Sequence, residues 1–260
     1  MKKKGVKFLV FIIILALLGG AIYLIVQKSG NKDKRSPERI VEDNSLKYFL
    51  SISEGYDSEY NGKDRLFAQE EFTKGDLNTG LMLTAAYNYV LDPANNIENE
   101  ITPQQFINIE NDIDLTDAIV VKGKNIRDAI KVLFGVDFTN EGYKNTTFKY
   151  TYNYISSEDV FVRREKTNSS NDNCYIAKRI ISNKKSNGGF KTEIAIAYAI
   201  RSDDKFKIYS DPERKELVKE TESLDLDSLN DKELKKLPKY NLITKNQEGN
   251  YIFEKIEAVK

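Results

Sequence analysis

The stretch between Lys7 and Lys28 constrains the possible structure and location of this chain more than any other part of its sequence. It holds 20 residues, Phe8 to Gln27, that carry no charge, and only Gln27 is strongly polar. A helix of this length spans roughly 30 Å, the thickness of the hydrocarbon core of a bilayer. A helix that is apolar on every side needs complete burial. The stretch therefore predicts a transmembrane helix that contacts membrane lipid through residues 8–27.

A cleaved secretion signal is the main alternative for this stretch. Such a signal has an apolar region of about 7–15 residues and ends at small residues. Residues 19–21, Gly-Gly-Ala, offer a cleavage site, but the apolar run continues past them to Val26. The continuation favours an uncut signal-anchor. Gly19 and Gly20 also leave open a third interpretation, in which the helix packs against partner helices as a subunit of a membrane protein complex.

The charges beside the span indicate its orientation. Four lysines precede it, and four basic residues follow within residues 28–35, offset by Asp33. The balance is nearly even, but a short basic N-terminus before a long C-terminal segment favours a cytoplasmic N-terminus. We therefore expect a single-pass protein of the cell membrane whose C-terminal domain lies outside the cytoplasm.

The composition excludes several function classes. The chain has no His, which removes the side chain best suited to proton transfer near neutral pH and the commonest ligand of zinc, copper and iron. Cys174 is the only cysteine, so no disulfide forms within the chain, and a Cys–His nucleophile is excluded. Beyond residue 30 there are 35 basic and 40 acidic residues, a net charge of about −5 that gives no support for nucleic-acid binding.

Helical patterns dominate the first half of the remaining chain. Ser36-Pro37 predicts the start of a short helix, and Thr73 with Asp76 has the spacing of a capping box before the clearest helix, which Asp92-Pro93 ends. Thr102-Pro103 with Gln105 predicts another start. Asn125 and Asp128 are expected to open a fourth helix that Gly135 stops.

From residue 146 onward the pattern changes to that of strands. In residues 190–200, isoleucine and tyrosine alternate with alanine, which predicts a strand covered on both faces. Residues 211–221 fit either a helix start at Asp211-Pro212 or an edge strand, and Ser228 with Asp231 is expected to cap a short helix. Two strands that form a hairpin close the chain.

Helices followed by antiparallel strands predict an α+β fold, with the helices packed on a curved antiparallel sheet. The expected organisation is a basic tip and signal-anchor at 1–30, a polar stem with a short helix at 31–72, and an extracytoplasmic domain at 73–260. Within that domain the helical part is 73–135 and the mostly β part 146–260.

Several constellations resemble functional sites without meeting their requirements. The carboxylates Asp112, Asp114 and Asp117, and likewise Asp225, Asp227 and Asp231, lack the turn glycine and bidentate Glu of a calcium loop. Residues 182–185, Ser-Asn-Lys-Lys, echo the Ser-x-x-Lys of penicillin-binding proteins but lie between strands. Tyr150, Tyr152 and Tyr154 alternate on one strand face, which fits either a sugar- or strand-binding groove or a sheet face under helices. The sequence thus predicts no catalytic, cofactor-binding or metal-binding residues.

The chain resembles uncharacterised single-pass membrane-anchored proteins of low-GC Gram-positive, Firmicutes- or Mollicutes-like bacteria. The resemblance rests on the signal-anchor with its Lys-rich start and on three segments, ITPQQF (101–106), IKVLFG (130–135) and GNYIFEKIE (249–257). The resemblance covers about half the chain. It implies an extracytoplasmic α+β domain and brings no site residues or cofactor with it. The start also resembles a type IV prepilin superficially, but Val10 stands where that family has a Glu.

The function expected from these features is that of a non-catalytic single-pass membrane protein with a protein- or envelope-binding domain. A carboxylate-dependent enzyme that acts on cell-wall glycans is one alternative, because such an enzyme needs only two suitably spaced Asp or Glu residues. The subunit of a membrane complex is the other. No cofactor is expected under the first hypothesis.

Overall fold

The computed structural model describes residues 35–53, 66–67, 70–139, 144–146, 150–166 and 174–259, and Pro37–Lys260 forms one packing unit. The helices are α1 (Pro37–Asn44), α2 (Thr79–Leu91), α3 (Pro103–Asp112), α4 (Gly123–Phe134) and α5 (Asp231–Leu234). A π-helical turn, Ser45–Phe49, continues α1, and 3₁₀ turns lie at Leu50–Ser53, Lys74–Asp76, Pro93–Asn95 and Leu226–Ser228.

The strands are β1 (Glu71–Thr73), β2 (Ala118–Lys122), β3 (Lys144–Thr146), β4 (Tyr150–Ile155), β5 (Val160–Glu165), β6 (Cys174–Ser186), β7 (Gly189–Ser202), β8 (Lys205–Tyr209), β9 (Leu217–Thr221), β10 (Lys239–Gln247) and β11 (Asn250–Ala258). The predicted α+β fold, with helices and a curved antiparallel sheet, is confirmed. The strands divide into two sheets, which the sequence analysis did not anticipate.

The larger sheet branches at β7. Its order is β1-β11-β10-β7-β8-β9, and β6 pairs with β7 in addition. β10 pairs with residues 189–195 of β7 and β8 with residues 198–202, while β6 follows β7 from Gly189 to Ile200. A strand has two edges, so β10 and β8 share one edge of β7 and β6 occupies the other.

Both faces of β7 are buried, as its alternating sequence predicts. Ile194, Ile196 and Tyr198 belong to the main core, together with apolar side chains of α2 and α4. The alanines of the other face pack with a separate group of leucines, namely Leu226, Leu229 and Leu237. Small side chains on that face let a 3₁₀ turn and the following segment approach closely.

The smaller sheet has the order β2-β5-β4-β3 and packs on α2 through one face. Tyr152 and Phe161 lie in the main core, and the opposite face buries Val160 and Val162 against Ile109 of α3. The Tyr152 hydroxyl lies 2.8 Å from the Thr84 hydroxyl of α2. Of the two interpretations of the tyrosine run, a sheet face under helices therefore describes Tyr152.

Arg163 is a buried cation on this inner face, with 8% of its surface exposed. Its guanidinium lies 4.8 Å from the ring centre of Tyr87 and 4.5 Å from that of Tyr150. It also donates to Asn88 Oδ1 at 3.4 Å. Contacts with ring faces stabilise a desolvated cation, so the two tyrosines help to keep this arginine within the packed layer.

The turn between β4 and β5 is held against the start of α4. Arg127 donates to both carboxylate oxygens of Asp159 at 2.7 Å, and the Tyr154 hydroxyl donates to Oδ1 at 2.8 Å. The Asp159 carbonyl accepts from the N–H of Gly123 at 2.6 Å. A Cβ atom at Gly123 would lie 2.9 Å from that carbonyl oxygen, so this close approach requires glycine.

Two predicted helix starts hold and one is displaced. Pro37 begins α1, and the reciprocal box of Thr102 and Gln105 caps α3. Thr73 and Asp76 do form a capping box, but it closes only the 3₁₀ turn Lys74–Asp76. α2 begins later because the Asn78 side chain accepts from the N–H of Leu81 at 3.0 Å.

The start predicted at Asn125 and Asp128 is wrong, because α4 begins at Gly123. Asn125 donates instead to the carbonyl of Glu98 at 2.9 Å, a tertiary contact that removes it from capping. The stop at Gly135 is confirmed, with the φ of 61° that glycine tolerates.

The cap predicted at Ser228 and Asp231 is also wrong. Asn230 caps α5 by accepting from the N–H groups of Lys232 and Glu233, and Glu233 completes the reciprocal box. In the ambiguous segment 211–221, the edge-strand interpretation is the one observed, as β9.

The predicted transmembrane span at residues 8–27 lies outside the described residues. Within the described ranges, no helix is both long enough and apolar enough to cross a bilayer. The packing unit that begins at Pro37 includes α1 and β1. The sequence predicted a stem at 31–72, a range that contains all of α1 and the first two residues of β1.

Candidate functional site

A groove of about 540 Å³ runs between α1 and β6. Its first wall is one face of α1 and the π-helical turn, formed by Arg39, Glu42, Asp43 and Leu46. These positions recur at intervals of three and four residues, which places them on one side of a helix. The volume falls within the range of protein sites that hold small molecules or short segments of chain.

The π-helical turn separates groove from core. Its Tyr48 and Phe49 are buried together with the following Leu50, while Leu46 is 39% exposed. Three consecutive buried side chains do not fit the spacing of a regular surface helix, and the wider turn accommodates them. π-helical turns are rare and frequently lie at functional sites.

Two attachments hold this wall beside β6. At one end Lys178 Nζ donates to the carbonyl of Leu50 at 2.6 Å. At the other end the Asn183 amide donates to the carbonyl of Glu38 at 3.1 Å, and Lys185 forms an ion pair with the Glu38 carboxylate at 3.1 Å. The groove lies between these attachments, so its length is fixed by the framework.

β6 forms the floor of the groove, and its backbone is irregular there. Residues 178–183 line the groove, and the register against β7 shifts between Ile180 and Ser182, so Ile181 is an inserted residue. Ile180 contacts the main core and Ile181 the leucine group on the opposite face. β-bulges are common next to functional sites because they change the direction of the strand edge.

The second wall is the 3₁₀ turn that contains Asp225 and Asp227. Arg179 connects this wall to β6: Nε lies 2.8 Å from Asp227 Oδ1, and Nη1 donates to the carbonyl of Leu226 at 3.1 Å. Asp225 caps the turn by accepting from the N–H of Asp227 at 2.8 Å.

The charges of the groove are unevenly neutralised. Arg39 pairs with the nearly buried Asp43 at 3.2 Å, and Arg179 pairs with Asp227. Glu42 meets Arg39 only at 4.0 Å, and among the described residues Asp225 forms no ion pair. Three basic and four acidic side chains line the groove, which gives it a net charge of −1. Of the four carboxylates, Glu42 and Asp225 are the least neutralised, and one of them lies on each wall.

Among the carboxyl groups that the structure describes, none has the raised pKa of a general acid. Six described carboxyls have displaced pKa values, and each pKa is lowered, at Asp76, Asp92, Asp114, Asp159, Asp211 and Glu233. For Asp92, burial alone would raise the pKa, but hydrogen bonds from Lys47, the Ala94 N–H and Tyr48 outweigh it. A glycosidase acid requires the opposite displacement.

The two predicted aspartate groups lie at exposed turns and caps. Asp114 accepts from the N–H and hydroxyl of Thr116, and these two bonds hold the pKa of Asp114 below its usual range. In the ranges that the structure describes, no three His, Cys, Asp or Glu side chains are placed to hold a metal ion.

The remaining sequence candidates do not converge on a site. Ser182 and Lys185 lie on β6, and side chains three apart on a strand point to opposite faces. The Cys174 side chain lies outside the described part. The groove could not be predicted from the sequence, because neither α1 nor β6 carries a motif which indicates that the two lie side by side.

Comparison of the chain with protein-family models, with curated proteins and with solved structures finds no match.

Proposed function

We propose that this chain is a single-pass membrane protein whose folded domain, outside the cytoplasm, binds a protein or envelope partner in the groove between α1 and β6. The observation that carries the proposal is the groove itself. Two backbone irregularities meet there, the π-helical turn and the β-bulge, and two weakly neutralised carboxylates face the occupant.

The predicted anchor adds a location to this binding role. Nine residues, 28–36, separate the predicted span from Pro37. On this proposal the anchor keeps the chain at the membrane, where it meets partners that are also held there.

The proposal is tested by crosslinking in intact cells that express the full chain. A photoreactive amino acid replaces Leu46 in the groove, and a matched variant carries it at Ile107, which is 52% exposed on α3. We expect a specific adduct from position 46 and none from position 107. External protease should degrade the domain, and alkaline washing should leave the chain in the membrane.

Three results would each contradict the proposal. These are equal adducts from both positions, a domain that external protease cannot reach, and release of the chain into the medium. The first removes the groove as the binding site, and the other two remove the location.

A further inference from the structure

We propose that the occupant of the groove is an extended basic segment of a partner polypeptide, which pairs with β6 and adds a strand to the larger sheet. This inference rests on the proposed function and narrows it to one class of partner. It is carried by the edge of β6, by the arrangement of the two walls and by the charges on them.

The edge of β6 opposite β7 supplies backbone hydrogen-bonding groups. Among the described residues, β7 alone pairs with β6, and residues 178–183 of β6 line the groove. A strand edge presents alternate N–H and C=O groups to whatever lies beside it. The six residues 178–183 extend over about 20 Å, so the floor matches a strand of five or six residues.

The two walls lie on opposite faces of the sheet. α1 is on the side of the main core, to which Ile180 belongs, and the turn at Leu226–Ser228 is on the side of the leucine group, to which Ile181 belongs. An added strand would therefore run between the walls in the plane of the sheet. Proteins often protect an exposed edge with covering elements, and here the two elements flank the groove that residues 178–183 line.

The wall charges select the side chains of the added strand. Glu42 lies on the α1 wall, 4.0 Å from Arg39, and Asp225 is exposed on the opposite wall, so a cation of the occupant can pair with each. Successive side chains of a strand point to opposite faces. Two adjacent basic residues therefore reach Glu42 and Asp225 at once, whereas two basic residues separated by one position both point to the same wall. Adjacent basic residues in an extended segment are thus the recognition feature.

The same charges disfavour a polyanionic envelope polymer. Phosphate or carboxylate groups would meet Glu42 and Asp225, while the three basic side chains of the groove are already engaged. Arg39 pairs with Asp43, Arg179 pairs with Asp227, and Lys178 donates to the carbonyl of Leu50. A polypeptide also matches the backbone groups of an edge strand, which a polyol cannot pair with in a regular ladder.

The absence of tryptophan from the chain makes a direct binding measurement possible. Peptides with one N-terminal tryptophan are titrated with the full chain in detergent micelles, and tryptophan anisotropy reports binding. The probe peptide contains two adjacent lysines flanked by threonine and valine. Three comparison peptides each differ from the probe in one respect. In the first, one threonine separates the two lysines; in the second, glutamates replace the lysines; in the third, alternate backbone nitrogens are methylated.

We expect the adjacent-lysine peptide to bind most tightly. Separating the lysines should weaken binding about threefold, since one ion pair is lost. Reversing the charges or methylating the backbone should weaken it about tenfold or more. Equal binding by the methylated peptide would overturn strand addition, and equal binding by the glutamate peptide would overturn the charge argument.

Substitutions then assign binding to the groove. The double variant Glu42→Gln with Asp225→Asn should bind the adjacent-lysine peptide about three- to tenfold more weakly than the parent. It should also bind this peptide no more tightly than the peptide with separated lysines. The matched control, Glu110→Gln with Asp112→Asn, removes two exposed carboxylates from α3 and should change neither. Equal losses in both variants would show a general charge effect and overturn the inference.

This inference and the proposed function fail separately. If position 46 crosslinks a non-peptide polymer and no peptide binds, the binding role stands and strand addition is wrong. If position 46 crosslinks nothing specific and no peptide binds, both are wrong.

Discussion

The centre of the larger sheet and its β6 margin are built from adjacent strands, yet they differ in strand pairing, in regularity and in charge. β7 has strand partners along both edges, and its residues from Ile194 to Ala199 are all buried apolar side chains. β6 has an inserted residue, charged side chains at 178 and 179, and a groove along its outer edge. The two strands are joined by a loop of only two residues, 187–188.

The contrast shows how stability and binding are divided in this domain. Burial of large apolar side chains in the centre contributes about 1.5–3 kcal/mol for each residue. The charged margin contributes little, because ion pairs exposed to water are worth about 0–1 kcal/mol. Substitutions at the centre should therefore alter stability, and substitutions at the margin should alter binding alone.

The largest effect is expected from Phe253→Ala in the core. Phe253 is fully buried, and its ring centre lies 5.6 Å from that of Phe49, 6.3 Å from that of Phe72 and 6.4 Å from that of Phe134. The cavity should lower the free energy of unfolding by about 3–5 kcal/mol, as measured by urea denaturation. Phe106→Ala on α3, where the side chain is 44% exposed, is the control and should cost less than about 0.5 kcal/mol. Similar losses in both variants would remove the distinction between centre and surface.

The next effect tests the close approach on the alanine face of β7. Ala197→Leu places three more carbons against the leucine group around Leu226. Overpacking should cost about 1–3 kcal/mol, measured in the same way. Ala94→Leu, at an exposed position, should be nearly neutral. An Ala197→Leu variant as stable as the parent would mean that this face is loosely covered.

A smaller effect is expected at the turn held by Arg127. The guanidinium of Arg127 lowers the pKa of Asp159, and the Tyr154 hydroxyl acts in the same direction. Because the pKa of Asp159 is lower in the folded than in the unfolded state, its ionised carboxylate stabilises the folded state at pH values above the unfolded pKa of about 4. This stabilisation is lost as the pH falls through the folded-state pKa.

Asp159→Asn should therefore cost about 1 kcal/mol at pH 7, since both partners are partly exposed. The difference from the parent should shrink as the pH is lowered from 5 to 3. Asp137→Asn removes a more exposed carboxylate that pairs with Lys131 and should show a smaller change. A difference that grows on acidification would have the wrong sign and would contradict the role given to Asp159.

The smallest effect on stability is expected at the margin. Glu42→Gln with Asp225→Asn should change the free energy of unfolding by less than about 0.5 kcal/mol, because Asn at 225 still accepts the N–H of Asp227. The same variant should lose peptide binding. A loss of stability above about 1 kcal/mol would show that the margin is part of the folding core and would break the comparison.

Local patterns predicted the centre of the fold well. The alternation of isoleucine with alanine from 194 to 199 has the period of a strand, and Thr102 with Gln105 satisfies the start of α3 by itself. Such features need no knowledge of distant residues. The same is true of the stop at Gly135, where only backbone geometry decides.

The groove was not predictable by the same means. Asn183 and Glu38, which help to hold its walls together, are 145 residues apart in the chain. The π-helical turn and the bulge at Ile181 have no local sequence signature, since each is imposed by neighbours in space. Asn125 shows the same limit on a smaller scale, because a contact with Glu98 overrides its preference for a helix start.

The pairing of β1 with β11 fixes an order of assembly. Phe72, early in the chain, lies opposite Ile256 on the last strand, so the sheet is not closed until residues 250–258 have been synthesised. The β6–β7 hairpin can form from neighbouring residues, whereas the ladder from β10 to β1 joins residues that are far apart in the chain. Because distant contacts cost more loop-closure entropy, the hairpin is expected to form early in folding and the pairing of β1 with β11 late.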